Sequence, residues 1–284
     1  MRPLDEWPLA ERRSIVGVFT DIDDTLTTEG AITADAMQAL SDLKAAGLVV
    51  IPITGRHSGW CAPLAQGDAA KGAPPWPVDA VVAENGAVAF VRDLTNEKCL
   101  PCPSDKRDVL SKIYQQDAIT RARNTARMQQ VATLVLREVP GSVRAKDEGG
   151  RETDVAFDYD ETVHLAPQQV ARIVDLLRQA GMHTTVSSIH IHGSFGDFDK
   201  WKGANWVVRE LFGRELQQEL DRWVFVGDSG NDQAMFEHFT HSVGVANIRR
   251  FQSSLAFLPR YITPSERGAG FAEMARALVQ ARTA

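Results

Sequence analysis

No apolar run in this 284-residue chain approaches the roughly 20 residues a membrane-spanning helix needs, and Met1–Arg13 has no apolar core of the kind a signal peptide carries. The expected location is therefore the cytoplasm. Cysteine is scarce, three residues in all, an odd number that fits reduced thiols rather than a disulfide framework. An excess of positive charge is missing too: 31 Lys and Arg stand against 37 Asp and Glu, a net charge of −6. That balance argues against a nucleic-acid binder, which works through a basic face. It also means that a small anionic substrate would need a local cation. What the chain does have is 44% apolar residues, ample for real cores, and a length that suggests two domains.

Against that background one stretch stands out. The apolar run Ile15–Phe19 reads as a buried strand and ends abruptly in Thr20-Asp21-Ile22-Asp23-Asp24-Thr25. Carboxylates packed this closely repel one another unless a cation neutralises them, and a hard divalent ion such as Mg2+ suits oxygen donors. Helix capping explains one such residue, not this density.

Taken in order, Thr33 opens a helix whose Ala36, Leu40, Leu43 and Ala46 follow helical spacing, with Gly47 as its C-cap. Leu48–Ile53 is a second buried strand, ending in Thr54-Gly55-Arg56. A right-handed strand-helix-strand unit brings both strand ends to one edge of a parallel sheet, where ligands of such sheets bind. Ser58–Gln66 reads as a short helix. Val78–Ala83 is a third strand, and Glu84-Asn85-Gly86 a tight turn before a hairpin return over Val88–Val91.

The rhythm then changes. Residues 92–193 lack the parallel-sheet pattern and read as an inserted α+β module, an antiparallel sheet with helices on one face. Within it a long polar helical pattern covers Ser104–Glu138, Asp154–Asp158 alternates like a half-exposed strand, Pro167–Ala180 is an amphipathic helix, and His183–His192 is another strand. The parallel pattern resumes with a helix over Lys200–Phe212 and a buried strand over Trp223–Val226. That strand ends in a second acidic cluster, Gly227-Asp228-Ser229-Gly230-Asn231-Asp232, whose glycine-rich bend can aim Asp228 and Asp232 at one ion. Val243–Ala246 is a further strand and Phe271–Val279 a closing helix. The expected architecture is an α/β core with a Rossmann-like parallel sheet, built from residues 1–91 and 194–284, with 92–193 inserted as a cap.

These residues resemble the haloacid dehalogenase-like (HAD) phosphohydrolases, and more narrowly their type IIB, or Cof-like, branch. The family's ordered motifs match Asp21-Ile22-Asp23-Asp24-Thr25, Thr54, and Gly227–Asp232. Glu84-Asn85-Gly86 resembles the turn before the type IIB cap. The resemblance implies a Mg2+-dependent phosphatase with Asp21 as nucleophile, Asp23 as general acid and base, and Thr54 with Gly55 at the phosphoryl group. Asp21, the Asp23 carbonyl, Asp228 and Asp232 would form the metal site, and Asp24 would be structural. It also implies a lysine that neutralises the phosphate. From Lys200 the positions three, four, seven and eight residues on are Gly203, Ala204, Val207 and Val208, a buried helix face; from Lys202 they are Asn205, Trp206, Arg209 and Glu210. Lys200 fits better, although Lys202-Gly203 looks more like the family's usual Lys-Gly pair.

Arg56, Asn85, His190, His192 and Asn231 are candidate substrate contacts; His190 and His192 share a strand face, and a hydrogen-bonded structural role suits them as well. Cys99-Leu-Pro-Cys102 has metal-site spacing but no second pair, and reads as free thiols in a loop. Arg121, Arg123 and Arg127 read as a solvated helix face. By resemblance the substrate is a small phosphate ester, a sugar phosphate above all, with no nucleic-acid or membrane partner. Two other readings share the core: a phosphosugar mutase of the phosphomannomutase kind, and a noncatalytic binding module.

Overall fold

The computed structural model describes residues 1–92, 110–187 and 189–283. The Cys99–Cys102 pair lies outside them. Among the described residues no helix is long and apolar enough to cross a membrane.

The main sheet has six parallel strands in the order β1 (Arg2–Pro3), β15 (Tyr261–Ile262), β14 (His241–Gly244), β13 (Trp223–Gly227), β2 (Gly17–Thr20) and β5 (Val49–Pro52). Strands β2 and β13 are buried along their whole length, as continuous apolar runs in a parallel sheet should be. Helix α2 (Ala34–Ala45) turns Ala36, Leu40 and Leu43 onto the sheet, and Gly47 at φ +76 ends it in a conformation glycine adopts without cost. Helix α8 (Arg267–Thr283) covers the same face, with α1 (Leu9–Ser14), none of whose residues is buried, packed on α8, while α6 (Lys200–Phe212) packs against the opposite apolar cluster. Helix α3 (Ser58–Gln66) spans the expected residues.

Strands β6 (Ala80–Ala83) and β7 (Val88–Arg92) form the expected hairpin, but in a separate sheet that touches the main one through the Ile53–Val82 bridge. Its third strand, β8 (Leu110–Tyr114), corrects the expected helix over Ser104–Glu138: residues 104–109 lie outside the described residues, and of the rest the helix, α4, covers Ala118–Glu138. Leu110–Tyr114 is too short for helical periodicity to be tested, and pairing with β7 decides its state. Arg121 and Arg127 lie over the rings of Tyr114 and Phe195, at 3.4 and 3.7 Å from their centroids. Arg123 and Arg127 are exposed, as a solvated helix face requires, and Arg121 is half-buried.

The inserted layer is an antiparallel sheet in the order β11 (His183–Val186), β12 (His190–Ser194), β10 (Asp154–Asp158) and β9 (Val143–Arg144). The single strand expected over His183–His192 is a hairpin of two, broken at Ser187. Helices α4 and α5 (Pro167–Gln179) cover one face, where Val155, Phe157 and Ile191 meet Met128, Val135, Ile173 and Leu177. Strand β10 was expected to be half-exposed, yet all its residues are buried. Its polar alternates, Asp154 and Asp158, are covered together with His190 and His192 on the face opposite the helices, and that face closes on the main sheet rather than on solvent.

Candidate active site

The carboxyl ends of β2, β5 and β13 converge, and the residues after them form the site. The Asp21 amide donates to the Val226 carbonyl at 2.8 Å, so the turn after β2 is fixed to the neighbouring strand. Asp21, Asp228 and Asp232 each bring a carboxylate oxygen within 4.8 Å of the others, all three buried. Between them lies the ammonium of Lys200, fully buried, 2.6 Å from Asp21 Oδ1 and 2.7 Å from Asp232 Oδ1. Lys202 points elsewhere, pairing with Asp197 and with Asp199 at the N-cap of α6.

A backbone contact explains how Lys200 gets there. A Cβ on Gly203 would lie 2.5 Å from the Gly86 Cα, and one on Gly86 would lie 2.7 Å from the Asp199 carbonyl oxygen. Helix α6 can therefore press directly on the Glu84–Gly86 turn only because both residues are glycine. The glycine of the Lys202-Gly203 pair thus serves the approach that seats Lys200, one turn away.

The oxygens of Asp232 and Asp228 have further partners. Asp232 Oδ2 accepts from the Asp228 and Ser229 amides at 2.9 and 3.0 Å, so both its oxygens are engaged. Asp228 accepts from Thr25 Oγ1 at 3.3 Å and from Asn247 Nδ2 at 2.9 Å. Burial, reinforced against the pull of Lys200 by Asp232 and Asp23, raises the Asp21 pKa to about 7; burial with Asp21 and Asp232 nearby raises that of Asp228 well above the usual range. Burial alone would lower the pKa of Lys200, but its two carboxylate partners raise it instead. Three buried carboxylates thus share one ammonium, and this all-oxygen donor set fits a hard divalent cation such as Mg2+.

Around this cluster lie the other expected residues. Asp23 is held by Arg56, whose Nε and Nη2 donate to it at 3.0 Å. Asp24, at φ +54, pairs with Arg267 at 3.0 Å, outside the cluster. The Thr54 hydroxyl accepts from the Arg56 amide at 3.0 Å, and Asn85 meets Asn231 at 3.5 Å. Asp21, Asp23, Thr54, Gly55, Arg56 and Asn231 line a small cavity whose far wall is Ser187, Ile189, His190 and His192 of the inserted layer. Its volume is ≈ 20 Å³, room for about one water. Both layers face each other across the site in a closed arrangement, and a substrate can enter only if they part.

The inserted layer brings a network that sequence reasoning missed. Arg151, with only 1% of its side chain exposed, pairs with Asp147 at 2.9 Å and Asp154 at 3.1 Å. Its Nη1 also donates to the Gly55 carbonyl at 3.2 Å, so a charge in the inserted layer holds the loop after β5. His192 Nδ1 meets Asp154 at 2.9 Å and His190 Nε2 meets Glu161 at 2.9 Å. Burial lowers the His192 pKa, leaving a neutral ring. The Asp154 contact then fixes the proton on Nδ1 and leaves Nε2 as an acceptor, 3.3 Å from where a Cβ on Gly55 would be. Glu84, also missed, accepts from the Ser58 amide at 3.1 Å and from the Thr153 amide at 2.6 Å, tying α3 to the inserted layer. Its place directly before Asn85-Gly86 was the available clue; Arg151 and Asn247 had none.

A family model described as sucrose-6F-phosphate phosphohydrolase matches residues 124–270. No curated protein matches the chain. Among solved structures, a Thermoplasma acidophilum protein superimposes with a TM-score of 0.64 at 16% identity, covering 93% of this chain and 98% of its own. The sucrose-phosphatase of Synechocystis gives a TM-score of 0.62 at 14% identity over 94% and 98% of the two chains. A HAD subclass IIB sugar phosphatase gives 0.57 at 15% identity over 92% and 96%.

Proposed function

The chain belongs to the sucrose-6F-phosphate phosphohydrolase family, phosphoric monoester hydrolases of the HAD superfamily, and on that premise we propose that it hydrolyses a phosphorylated sugar through an aspartyl-phosphate, with Mg2+ as cofactor and in the cytoplasm. The observation that carries this reading is the buried set Asp21, Lys200, Asp228 and Asp232 at the carboxyl ends of β2 and β13, one ammonium among three carboxylates. A phosphoryl group needs positive charge around its oxygens and a nucleophile in line with the leaving group.

In the proposed sequence the substrate phosphate lies between Asp21, Thr54 and Lys200. Lys200 and the Thr54 hydroxyl hold its oxygens. An Asp21 oxygen attacks phosphorus, the bond to the sugar oxygen breaks, and Asp23 gives that oxygen a proton. Water then attacks the phosphorus of the aspartyl-phosphate, its proton passes to Asp23, and the Asp21 carboxylate and inorganic phosphate are released. Mg2+, held by Asp21, Asp228 and the Asp23 carbonyl, with Asp232 beside it, would offset charge on the phosphoryl oxygens. Asp232 also holds Lys200 through Oδ1. Arg56 orients Asp23. Within residues 92–193 the inserted layer of β9–β12 with α4 and α5 acts as the cap, and Asn85, Asn231, His190 and His192 contact the substrate; an imidazole acceptor such as His192 Nε2 suits a sugar hydroxyl donor.

The test is turnover of purified protein with Mg2+ against a panel of phosphorylated sugars, with Asp21→Asn as the comparison. The expected result is phosphate release from at least one sugar phosphate and a loss of about 10⁴-fold or more in the variant. Turnover unchanged in Asp21→Asn would overturn the mechanism. Activity confined to phosphate esters without a sugar would overturn the substrate class alone.

A further inference from the structure

A second and larger cavity, ≈ 510 Å³, lies on the main domain where α1, the β1 edge and α8 meet the 3-10 turn Ala246–Phe251. Its volume is that of a small-molecule site. Three guanidiniums line it: Arg12 from α1, Arg249 from the turn and Arg276 from α8. Ile262 and Ala277 supply an apolar wall.

The three arginines differ from those around them. Arg13 donates to the Ala281 carbonyl at 3.0 Å, Arg250 pairs with Glu266 at 3.0 Å, Arg267 with Asp24 at 3.0 Å, and Arg282 donates to the Ala46 and Ile15 carbonyls. The side chains of Arg12, Arg249 and Arg276 have no hydrogen-bond or ion-pair partner among the described residues. Arg249 and Arg276 are at exposed positions, but the Nε of Arg12 is sealed from solvent with no acceptor. A buried donor without an acceptor calls for an explanation, and an absent ligand is one of few. Two carboxylates share the lining, Asp5 and Glu273, and neither neutralises an arginine: Glu273 is turned to Ser265, accepting from its hydroxyl at 2.6 Å and its amide at 3.1 Å. Guanidinium forks match the oxygens of phosphate and carboxylate groups.

We propose that this groove binds a compact organic polyanion, two or more oxyanion groups on a short, partly apolar frame. The groove is separate from the acidic cluster at Asp21, which without a divalent cation repels such a ligand. The turn carrying Arg249 also carries Asn247, the donor to Asp228 at 2.9 Å, so the two sites are neighbours along the chain.

The test is calorimetric titration of the full chain in buffer free of divalent cations. ADP is the phosphoryl probe and citrate the carboxylate probe, each run on wild type and on Arg249→Ser/Arg276→Ser. The double variant is expected to keep the wild-type melting temperature and wild-type turnover in probe-free buffer. Saturable binding of either probe below about 5 mM, weakened about tenfold or more in the double variant, is the expected result. ADP alone binding would identify phosphoryl groups as the ligand's anions; citrate alone, carboxylates. No saturation by about 5 mM for either probe, or binding weakened by less than about tenfold in the double variant, would overturn the proposal.

Discussion

Two buried aspartates on opposite sides of the site are almost equally shielded, Asp21 at 4% exposure and Asp154 at 5%, yet they are driven in opposite directions. Burial raises Asp21 to about 7, because Lys200 is shared with Asp232 and the charges of Asp232 and Asp23 lie close by. Asp154 pays the same desolvation, but Arg151 and His192 pull it down to about 2. The carboxylates of the inserted layer are satisfied: Asp147 and Asp154 meet Arg151, Glu161 meets His190, and Asp158 accepts from the Glu161 and Thr162 amides. The core half is not: it holds more negative charge than its own residues neutralise. Groups left in that condition are suited to take a cation and a phosphoryl group, whereas a satisfied network is suited to hold a shape. Chemistry belongs to the first half and positioning to the second.

After Asp21→Asn itself, the largest effect should come from removing Lys200, the ammonium among the core carboxylates. Lys200→Met is expected to lower kcat by about 10³-fold, roughly 4 kcal/mol of transition-state stabilisation. Lys202→Ala, whose ammonium faces Asp197 and Asp199, should stay within about twofold of wild type. Steady-state kinetics with circular dichroism as a folding control checks both. Equal losses in the two variants would remove the distinction between them.

Next comes the positioning half. Arg151→Gln leaves Asp147 and Asp154 without their guanidinium and the Gly55 carbonyl without a donor. Breaking a buried pair from one side costs about 3 kcal/mol or more, to be read from urea unfolding at pH 7. A loss under about 1 kcal/mol would mean that this network is not the preformed support described above.

How far the sequence carried depends on where each residue gets its constraint. Asp21, Thr54 and Asp228 were legible because each ends a buried parallel strand, and ligands gather at that edge. Lys200 was legible because helical periodicity puts it on one face with Gly203, Ala204, Val207 and Val208, all buried. Strand Leu110–Tyr114 was not, since its state comes from pairing with β7. The burial of β10 was hidden because alternation reports two faces without saying what covers them. Arg151 and Asn247 lie in irregular segments whose local pattern carries no sign of burial; only the closed fold brings them to the loop after β5 and to Asp228.

A smaller effect tests the charge deficit in the core. The Asp21 pKa is raised to about 7, so below that pH the cation-free protein carries a proton there, and a divalent ion must displace it. Mg2+ affinity, measured by calorimetry, should therefore rise by about tenfold or more per pH unit as the pH climbs toward 7, the raised Asp228 adding to the slope. The sign follows from the direction: a raised carboxylate pKa makes proton and metal compete at neutral pH, whereas a depressed one would leave affinity flat from pH 5 upward. A flat profile would place the core cluster in the same class as Asp154.

The smallest expected effect concerns His192, where the two halves meet. Its Nδ1 is committed to Asp154 and its Nε2 is free to accept at the cavity, close to Gly55. His192→Gln keeps a polar group of similar reach but loses the Asp154-fixed tautomer. If the ring only receives a substrate hydroxyl, KM should rise by about three- to tenfold, the worth of one neutral hydrogen bond, while kcat stays within about twofold. Equal falls in kcat and kcat/KM would instead mean an interaction made only in the transition state. The inserted layer would then take part in the chemistry, and the division between a reactive core and a positioning cap would fail at this residue.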